Sequence, residues 1–375
     1  MNRLLLLVLM VFPIMVSAFP QADYEKEFVT AKGKKLDIDL KTGGGIAIAG
    51  WDKEAVSVRG LREGRDGDEA VLEMEETSSG VALRSHYAGS RHNRSGGINL
   101  EIKVPRRYDV HLETMGGAVS IENVEGRMDG RTMGGSLDLS GLKGNLDLLT
   151  MGGAVTLKNS DVDGSVKTMG GEVLMEDVTG DVKPSSMGGN VRQKNITRRS
   201  GEVRGSEVNI STMGGDINVD DAPLGAALST MGGAIHVRSA AKFVKAKTMG
   251  GKVLLDAVDG WMDASTMGGD VEATMTGDPS QGNRSVSLTS MAGDITLSVP
   301  AGLSMDFDIE LAYTKGHEGK YTIASDFPLS QEVSPEWDRH NGSPRKIIHG
   351  SGSVAGGKNR VTIRTVNGNV AIRRI

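Results

Sequence analysis

The fold is decided by the stretch from Thr150 to Thr168, Thr-Met-Gly-Gly-Ala-Val-Thr-Leu-Lys-Asn-Ser-Asp-Val-Asp-Gly-Ser-Val-Lys-Thr, which ends where its own opening motif starts again. Met-Gly-Gly recurs every 18 residues, apart from one step of 26 and one of 24. Nine perfect copies and one near copy, Met-Ala-Gly, begin at Met115, Met133, Met151, Met169, Met187, Met213, Met231, Met249, Met267 and Met291. A fixed internal period of this size indicates a stacked repeat architecture.

Inside one repeat, apolar and polar residues alternate in the way that half-buried strands require. Val155 and Leu157 are apolar, Thr156 between them is polar, and a second alternating run leads from Val162 to Thr168. Each repeat therefore reads as strand, turn, strand, turn. We predict an all-β chain that forms a single-chain parallel β-helix (β-solenoid) with 18-residue coils, in which equivalent residues stack ~4.8 Å apart.

The glycine pair and the two longer steps give further expectations. We expect the Gly-Gly pair to form a turn with φ > 0, so that Gly152→Val would cost about 1–3 kcal/mol. The longer steps insert residues that should loop out of the stack without disturbing it. The first insertion contains Arg198 and neighbouring basic residues, and it is a candidate binding loop, although a solvated loop is the simpler interpretation.

The chain divides into four predicted segments. Residues 1–18 read as a signal peptide, because a short basic start precedes an apolar run and the small-residue site Val16-Ser17-Ala18. An uncleaved N-terminal anchor is the alternative. Residues 19–110 read as an irregular N-terminal cap of the solenoid, residues 111–300 as its regular repeats, and residues 301–375 as a C-terminal loop segment with a closing rung. We expect cleavage after Ala18.

Composition narrows the function classes. The chain of 375 residues has 52 glycines, 4% aromatic residues and no cysteine, so it has neither a disulfide framework nor a lipid-anchoring cysteine. Its net charge is −5 and its basic residues are spread out, which argues against a nucleic-acid partner. No segment after the first is apolar enough for a transmembrane helix, so we predict an exported chain in the bacterial periplasm or at the cell surface.

Metal binding finds little support in the sequence. The calcium-binding β-roll repeats Gly-Gly-x-Gly-x-Asp every nine residues, but Gly116-Gly117 is followed by core residues, and only Asp216, Asp270 and Asp294 follow a glycine pair or its variant. Stacked methionines could bind a soft ion such as Cu(I). The simpler interpretation is that methionine is a flexible apolar filler at a corner. We therefore predict no metal site and no cofactor.

Catalysis has one candidate location. Some β-helices cleave polysaccharides, and they need paired carboxylates at one place on a face. The polar stretch from Tyr313 to Gly357 provides a cluster of such residues: Glu332, Glu336, Asp338, Arg339 and His340. His111 and His236 each stand alone and read as solvated. The repeats themselves carry nearly the same residues in each copy, so we predict no catalytic residues in them.

Several stretches resemble the bacterial putative-adhesin family of exported β-strand-repeat proteins, a domain of unknown function. The resemblance lies in the Thr-x-Gly-Gly rungs and in the segments Ile46–Asp52, Leu100–Pro105, Ser325–Leu329 and Thr365–Asn369. It implies an exported β-helix without an active site, and this chain departs from it in its regular methionine. We therefore predict a non-enzymatic scaffold or adhesin-like protein whose ligand, a glycan or a protein, is unknown; the alternative is a polysaccharide-cleaving enzyme with its site in the C-terminal segment.

Overall fold

The chain is an all-β protein, as its sequence predicts. The computed structural model describes residues 22–89, 95–197, 207–339 and 343–375. Within these residues the only helix is a short 3-10 turn at Gly67–Glu69, and none is long and apolar enough for a membrane span. The predicted signal peptide (residues 1–18), Arg198 and His340 lie outside the described residues.

The strands follow one another along the described chain and belong to one continuous sheet. Strands β1 to β8 are Tyr24–Val29, Lys35–Leu40, Ile46–Trp51, Ala55–Glu63, Ala70–Thr77, Gly80–Tyr87, Gly97–Pro105 and Asp109–Thr114. Strands β9 to β24 are Val119–Glu122, Glu125–Thr132, Leu137–Ser140, Lys143–Thr150, Val155–Thr168, Val173–Thr179, Val182–Ser186, Val191–Thr197, Val208–Ser211, Ile217–Ala222, Ala226–Ser229, Ile235–Lys247, Val253–Thr266, Val271–Met275, Val286–Ser290 and Ile295–Val299. Strands β25 to β30 are Met305–Thr314, Ile323–Ser325, Ser330–Val333, Arg345–Val354, Asn359–Val366 and Val370–Arg374.

Strands of the repeat pair in parallel with the equivalent strand of the next repeat. Leu137 of β11 lies between Val119 of β9 and Val155 of β13, so the partners are one 18-residue repeat apart. Both longer steps preserve this pairing, because Val191 pairs with Ile217 and Val271 pairs with Ile295. The insertions therefore leave the parallel ladder in register on either side.

The core consists of columns of equivalent aliphatic side chains. The first inward position of each repeat is fully buried in ten successive copies, at Val119, Leu137, Val155, Val173, Val191, Ile217, Ile235, Val253, Val271 and Ile295. Burying one such side chain contributes about 1.5–3 kcal/mol. A strand of this length cannot bury its apolar face alone, so the coils above and below supply the contacts.

A ladder of buried hydroxyl groups runs beside this core. The Thr150 side chain is fully buried; its Oγ1 donates a hydrogen bond to the Gly135 carbonyl of the preceding repeat at 2.7 Å and accepts one from the Gly153 N–H at 3.2 Å. Ser186 makes the same pair of bonds in its repeat. The residue before each methionine is therefore buried, and from Thr150 onward it ties its turn to the preceding one.

The glycine pair acts differently from our prediction. From Gly134 onward neither glycine of the pair has φ in the left-handed region, so the expected turn with φ > 0 is wrong for these repeats. The second glycine is instead required because successive backbones approach closely: a Cβ on Gly153 would lie 2.2 Å from the Gly135 carbonyl oxygen. At Gly152, the position proposed for substitution, a Cβ would lie 3.3 Å from the Gly134 oxygen, which is tight but not prohibitive.

The N-terminal part continues the stack below the first methionine repeat. Strand β2 pairs in parallel with β8, which places Leu40 beside Thr114, and β3 pairs in parallel with β9, which places Ile46 beside Val119. Antiparallel pairs accompany these, between β4 and both β1 and β7, and between β5 and β6. The boundaries of this segment as a separate cap remain a prediction.

The C-terminal part contains more strand than we predicted. The closing sequence stacks on the last methionine repeat, because Thr365 lies beside Ser290 and donates to the Gly293 carbonyl at 2.7 Å. The stretch expected to be a polar loop, however, includes β26, β27 and β28. Strand β28 pairs antiparallel with β25 and β27, and Gly350 and Gly352 face packed neighbours where side chains would crowd them. The second half of β28 alternates glycine with serine from Gly350 to Ser353, so the sequence shows no apolar alternation there.

Candidate functional site

The methionine of each repeat projects outward, and together these side chains form one exposed edge, which we call the methionine edge. Its ten members are the methionines that open the motif, and each is 40–57% exposed: Met115, Met133, Met151, Met169, Met187, Met213, Met231, Met249, Met267 and Met291. The other large exposed hydrophobic residues of the described chain are Val29, Val333 and Ile375. Our interpretation of methionine as a packing filler is therefore wrong, because these side chains face solvent.

The backbone below the edge is tightly ordered. The Met231 N–H donates to the Met213 carbonyl at 3.2 Å, and the Met249 N–H donates to the Met231 carbonyl at 3.2 Å. The buried hydroxyl ladder holds the preceding residue inward, and so the methionine at the corner must turn outward. With a coil spacing of ~4.8 Å, ten methionines extend over ~43 Å of one edge.

The fold itself does not require methionine at this corner. Lys41 occupies the equivalent position below Met115, since Leu40 pairs with Thr114, and it is exposed. Val366 occupies it above Met291, since Ser290 pairs with Thr365. The same turn thus accommodates a cation or a branched aliphatic residue, which leaves the ten methionines without a structural explanation.

The residues beside the methionine edge include both charged and uncharged side chains. Met151 is flanked by Leu149 two residues before it and by Ala154 three residues after it, and neither carries a charge. At its C-terminal end, the edge meets a groove of about 270 Å³ lined in part by Met291, Arg345 and Val366. The edge is therefore an apolar strip that opens into a groove lined by both apolar and charged residues.

A separate column on the strand face carries alternating charges. Lys158, Glu176 and Lys194 lie in successive repeats, and the Glu176 carboxylate is 2.6 Å from the Lys194 Nζ and 3.2 Å from the Lys158 Nζ. The hydrogen bond from Lys194, with that from Lys158, lowers the pKa of Glu176 below its ordinary value. Asp220 and Arg238 form a similar pair at 2.5 Å further along. Exposed pairs of this kind contribute little stability each.

A family model matches residues 16–373, which is nearly the whole chain. The chain belongs to the Toastrack DUF4097 family. This confirms the resemblance drawn from the sequence to a family of unknown function.

Solved structures similar to this Toastrack chain are distant. One, described as a putative cell adhesion protein from Clostridium sporogenes, is 10% identical, with 94% of this chain and 99% of that chain covered and a TM-score of 0.19. Another, described as a putative adhesin from Bacteroides fragilis, is 11% identical, with 93% and 96% covered and a TM-score of 0.17. No curated protein matches the chain. The family assignment therefore rests on the family model alone.

Two of the carboxylates suggested for catalysis, those of Glu332 and Asp338, lie at separate places in the Toastrack chain. Glu332 lies opposite His349 of β28, whereas Asp338 lies opposite Arg345 of the same strand. These two positions on β28 are four residues apart, or ~13 Å along a strand. Paired carboxylates of glycosidases are about 5–9.5 Å apart. Glu336 and Arg339 are exposed, and His340 lies outside the described residues.

The two histidines described as solitary each have a partner in the next repeat. His111 Nδ1 lies 2.6 Å from the Asp129 carboxylate, and His236 Nε2 lies 2.7 Å from the Asp256 carboxylate. The interpretation as lone solvated histidines is therefore wrong. Sequence spacing contained the signal for the first pair, because Asp129 follows His111 by one repeat.

The aspartates considered for calcium bind backbone instead. Asp216 accepts a hydrogen bond from the Ala234 N–H at 2.7 Å, and Asp270 accepts one from the Asp294 N–H at 2.8 Å. Asp294 in turn accepts from the Asn369 N–H at 2.7 Å. Each carboxylate thus caps the backbone of the following repeat. Within the described part of the chain, no group of three or more His, Cys, Asp or Glu side chains is arranged to hold a metal ion.

Two aromatic rings form a small outward-facing stack elsewhere in the repeats. Phe243 and Trp261 lie in adjacent repeats with ring centroids 4.9 Å apart and planes inclined by 11°. The Phe243 ring also covers Gly225 of the preceding repeat. Both rings are half-buried, so the stack offers much less apolar surface than the methionine edge.

Proposed function

We propose that this chain is an exported, adhesin-like binding scaffold without catalytic activity, and that the methionine edge is its binding surface. One observation carries the proposal: ten exposed methionines stand in line on a corner that also accepts Lys41 and Val366. Contiguous exposed apolar surface is characteristic of interaction sites. Methionine is especially suited to such surfaces, because its flexible side chain adapts to differently shaped partners.

We infer that the scaffold is a single-chain parallel β-helix with 18-residue coils. The parallel partners one repeat apart, from Val119 through Leu137 and Val155, support this winding. Such a scaffold holds its corners at regular intervals on a stiff backbone. The regularity favours a long, repetitive contact over a pocket for a small substrate.

The partner we propose is a protein with an elongated apolar face, and a glycan is the alternative. The methionine edge favours a protein, because thioether side chains offer no hydrogen-bond donors for sugar hydroxyl groups. The stack of Phe243 and Trp261 is the observation that favours a glycan, since both rings offer a flat apolar face and the indole N–H of Trp261 adds a hydrogen-bond donor. The separation of Glu332 from Asp338 gives no support to a polysaccharide-cleaving site.

A binding experiment with matched variants tests the proposal. The variant Met151→Glu/Met169→Glu/Met187→Glu places charges on the edge, and Thr156→Glu/Leu174→Glu changes a neighbouring face as the control. We expect envelope proteins retained by the immobilised wild-type chain to be retained by the control and lost with the edge variant. Equal retention by all three chains would contradict the methionine edge. A glycan array, repeated with Trp261→Ala, distinguishes the alternative ligand class.

Export is the second part of the proposal. It rests on the basic start, the apolar run from Leu4 to Val16 and the small-residue site that ends at Ala18. We expect N-terminal sequencing of the protein from its native host to begin at Phe19. A membrane-bound form that keeps Met1 would contradict cleavage and indicate an anchor.

A further inference from the structure

The sulfur atoms of the methionine edge distinguish it from an ordinary apolar strip. An exposed corner that needs only apolar contact could carry leucine, isoleucine or valine, as Val366 does in the closing repeat. All ten repeats of the edge instead carry a thioether, while five other methionines lie buried in the core: Met128, Met175, Met262, Met275 and Met305. The fold thus separates methionines that pack from methionines that are presented to solvent.

We propose that the methionine edge binds soft monovalent metal ions, Cu(I) and by the same chemistry Ag(I), between the thioethers of neighbouring repeats. Thioether sulfur is a soft ligand that selects Cu(I) over hard cations. The step is an exchange of ligands at the ion, with no change in oxidation state and no proton released. The proposal goes beyond protein binding by the edge and does not depend on it.

The spacing of the repeats suits such coordination. Equivalent atoms of successive coils are ~4.8 Å apart. Two metal–sulfur bonds of ~2.3 Å, the length found for zinc and thiolate sulfur, span ~4.6 Å when they are collinear. One ion therefore fits between two neighbouring thioethers with little adjustment, and a third methionine can approach by rotation of its side chain.

The backbone fixes this array before any ion binds. The N–H of Met267 donates to the Met249 carbonyl at 3.2 Å, and that of Met249 donates to the Met231 carbonyl at 3.2 Å. The ligand-bearing Cα atoms are thus held in line, and only the flexible side chains need to order around the ion. A site whose ligands are already positioned loses less entropy on binding.

Charge and ligand type determine which ions are favoured. Thioethers are neutral, so they compensate none of the charge of a divalent ion, whereas a monovalent ion needs less compensation. Two carboxylates that directly follow the glycine pair, those of Asp216 and Asp270, are already bonded to backbone N–H groups. The edge should therefore discriminate against Ca²⁺ and Zn²⁺, which prefer oxygen, nitrogen or thiolate ligands.

The experiment compares the wild-type chain with two leucine variants. In the edge variant all ten edge methionines become leucine, which keeps apolar surface and removes the thioethers. In the core variant, Met128→Leu/Met175→Leu/Met262→Leu, the same replacement is made at buried positions. Each purified chain competes anaerobically with the chromophoric chelator bicinchoninate for Cu(I), with ascorbate present to keep the metal reduced. Thermal unfolding verifies that all three chains are folded.

We expect the wild-type chain to withdraw several Cu(I) ions, up to about five if each takes two thioethers. The core variant should match it, and the edge variant should lose all of this binding. X-ray absorption of the loaded wild-type chain should show sulfur as the nearest neighbour of copper. A smaller variant, Met151→Leu/Met169→Leu/Met187→Leu, should lower the number of bound ions by one or two and provides the same test if the ten-fold variant fails to fold.

Three results would overturn the proposal: no withdrawal of Cu(I) by the wild-type chain, equal binding by the edge variant, or nearest neighbours of copper that are oxygen or nitrogen. In calorimetric titrations, Ag(I) should bind the wild-type chain and the core variant but not the edge variant. Zn²⁺ should bind none of the three. Because leucine preserves the apolar edge, the edge variant should still bind a protein partner. Loss of metal binding and loss of partner binding are therefore distinguishable.

Discussion

At the scale of single residues, the four positions of the motif are constrained by different physical causes. Threonine is required at position 150 because its buried hydroxyl bonds two successive turns. Glycine is required at position 153 because a Cβ there would collide with the Gly135 carbonyl of the preceding repeat. Met151 is subject to neither constraint, because its side chain is exposed. The sequence revealed that all four positions repeat, but it could not reveal which of them the fold requires.

The hydroxyl ladder gives the first prediction. Thr150→Val should lower the free energy of unfolding by about 1–3 kcal/mol, because the partly buried Gly135 carbonyl and Gly153 N–H would lose this partner. Thr150→Ser is the matched control and should remain close to the wild type, since Ser186 makes the same bonds. Urea unfolding followed by circular dichroism measures both. A valine variant as stable as the wild type would show that the ladder contributes nothing.

The glycine pair gives the second prediction, in which the two positions should behave differently. Gly153→Ala should destabilise by roughly 3 kcal/mol, at the upper end for overpacking, because its Cβ would lie 2.2 Å from the Gly135 carbonyl oxygen. Gly152→Ala should cost at most about 1 kcal/mol, because its nearest contact is 3.3 Å. Melting temperatures of the two variants provide the measurement. The reverse order would mean that turn conformation, and not coil spacing, selects glycine.

At the scale of strands, period-2 alternation identified the elements that bury one face. Val155 and Leu157 are buried and Thr156 is half-buried, as that pattern predicts. The same reasoning missed β28, whose Gly350 and Gly352 pack by lacking side chains. The alternation also could not predict whether the corner methionines face inward or outward, because alternation along a strand does not continue through a turn. The candidate site was therefore visible in the sequence as a motif, but its exposure was not.

The charged column on the strand face yields a prediction about pH. The lysines at 158 and 194 lower the pKa of Glu176, so the stabilisation from its carboxylate is present above the ordinary pKa of glutamate and is lost as pH falls through the lowered value. Glu176→Gln should therefore reduce the melting temperature slightly at neutral pH, and the difference from the wild type should vanish in acid. Glu122→Gln, in the same column but opposite Ser140, is the control and should show a smaller difference. A difference between Glu176→Gln and the wild type that persists unchanged in acid would exclude the ion pairs as its cause.

At the scale of the whole molecule, parallel pairs one repeat apart predict that each 18-residue repeat is an interchangeable unit. In stacked repeats, stability is approximately a sum of terms within a coil and between neighbours. Deletion of residues 151–168 removes one complete coil and leaves Thr150 followed directly by Met169, so that Leu137 meets Val173 in register. We expect this variant to fold with an unchanged strand signal, a lower melting temperature and a length shorter by ~4.8 Å in small-angle scattering. Deletion of residues 151–160 is the control; it shifts the register so that Ser165 and Lys167 take the inward places of Val155 and Leu157, so it should not fold. If both deletions unfold the chain alike, the coils are not equivalent units, and the repeat does not by itself specify the stack.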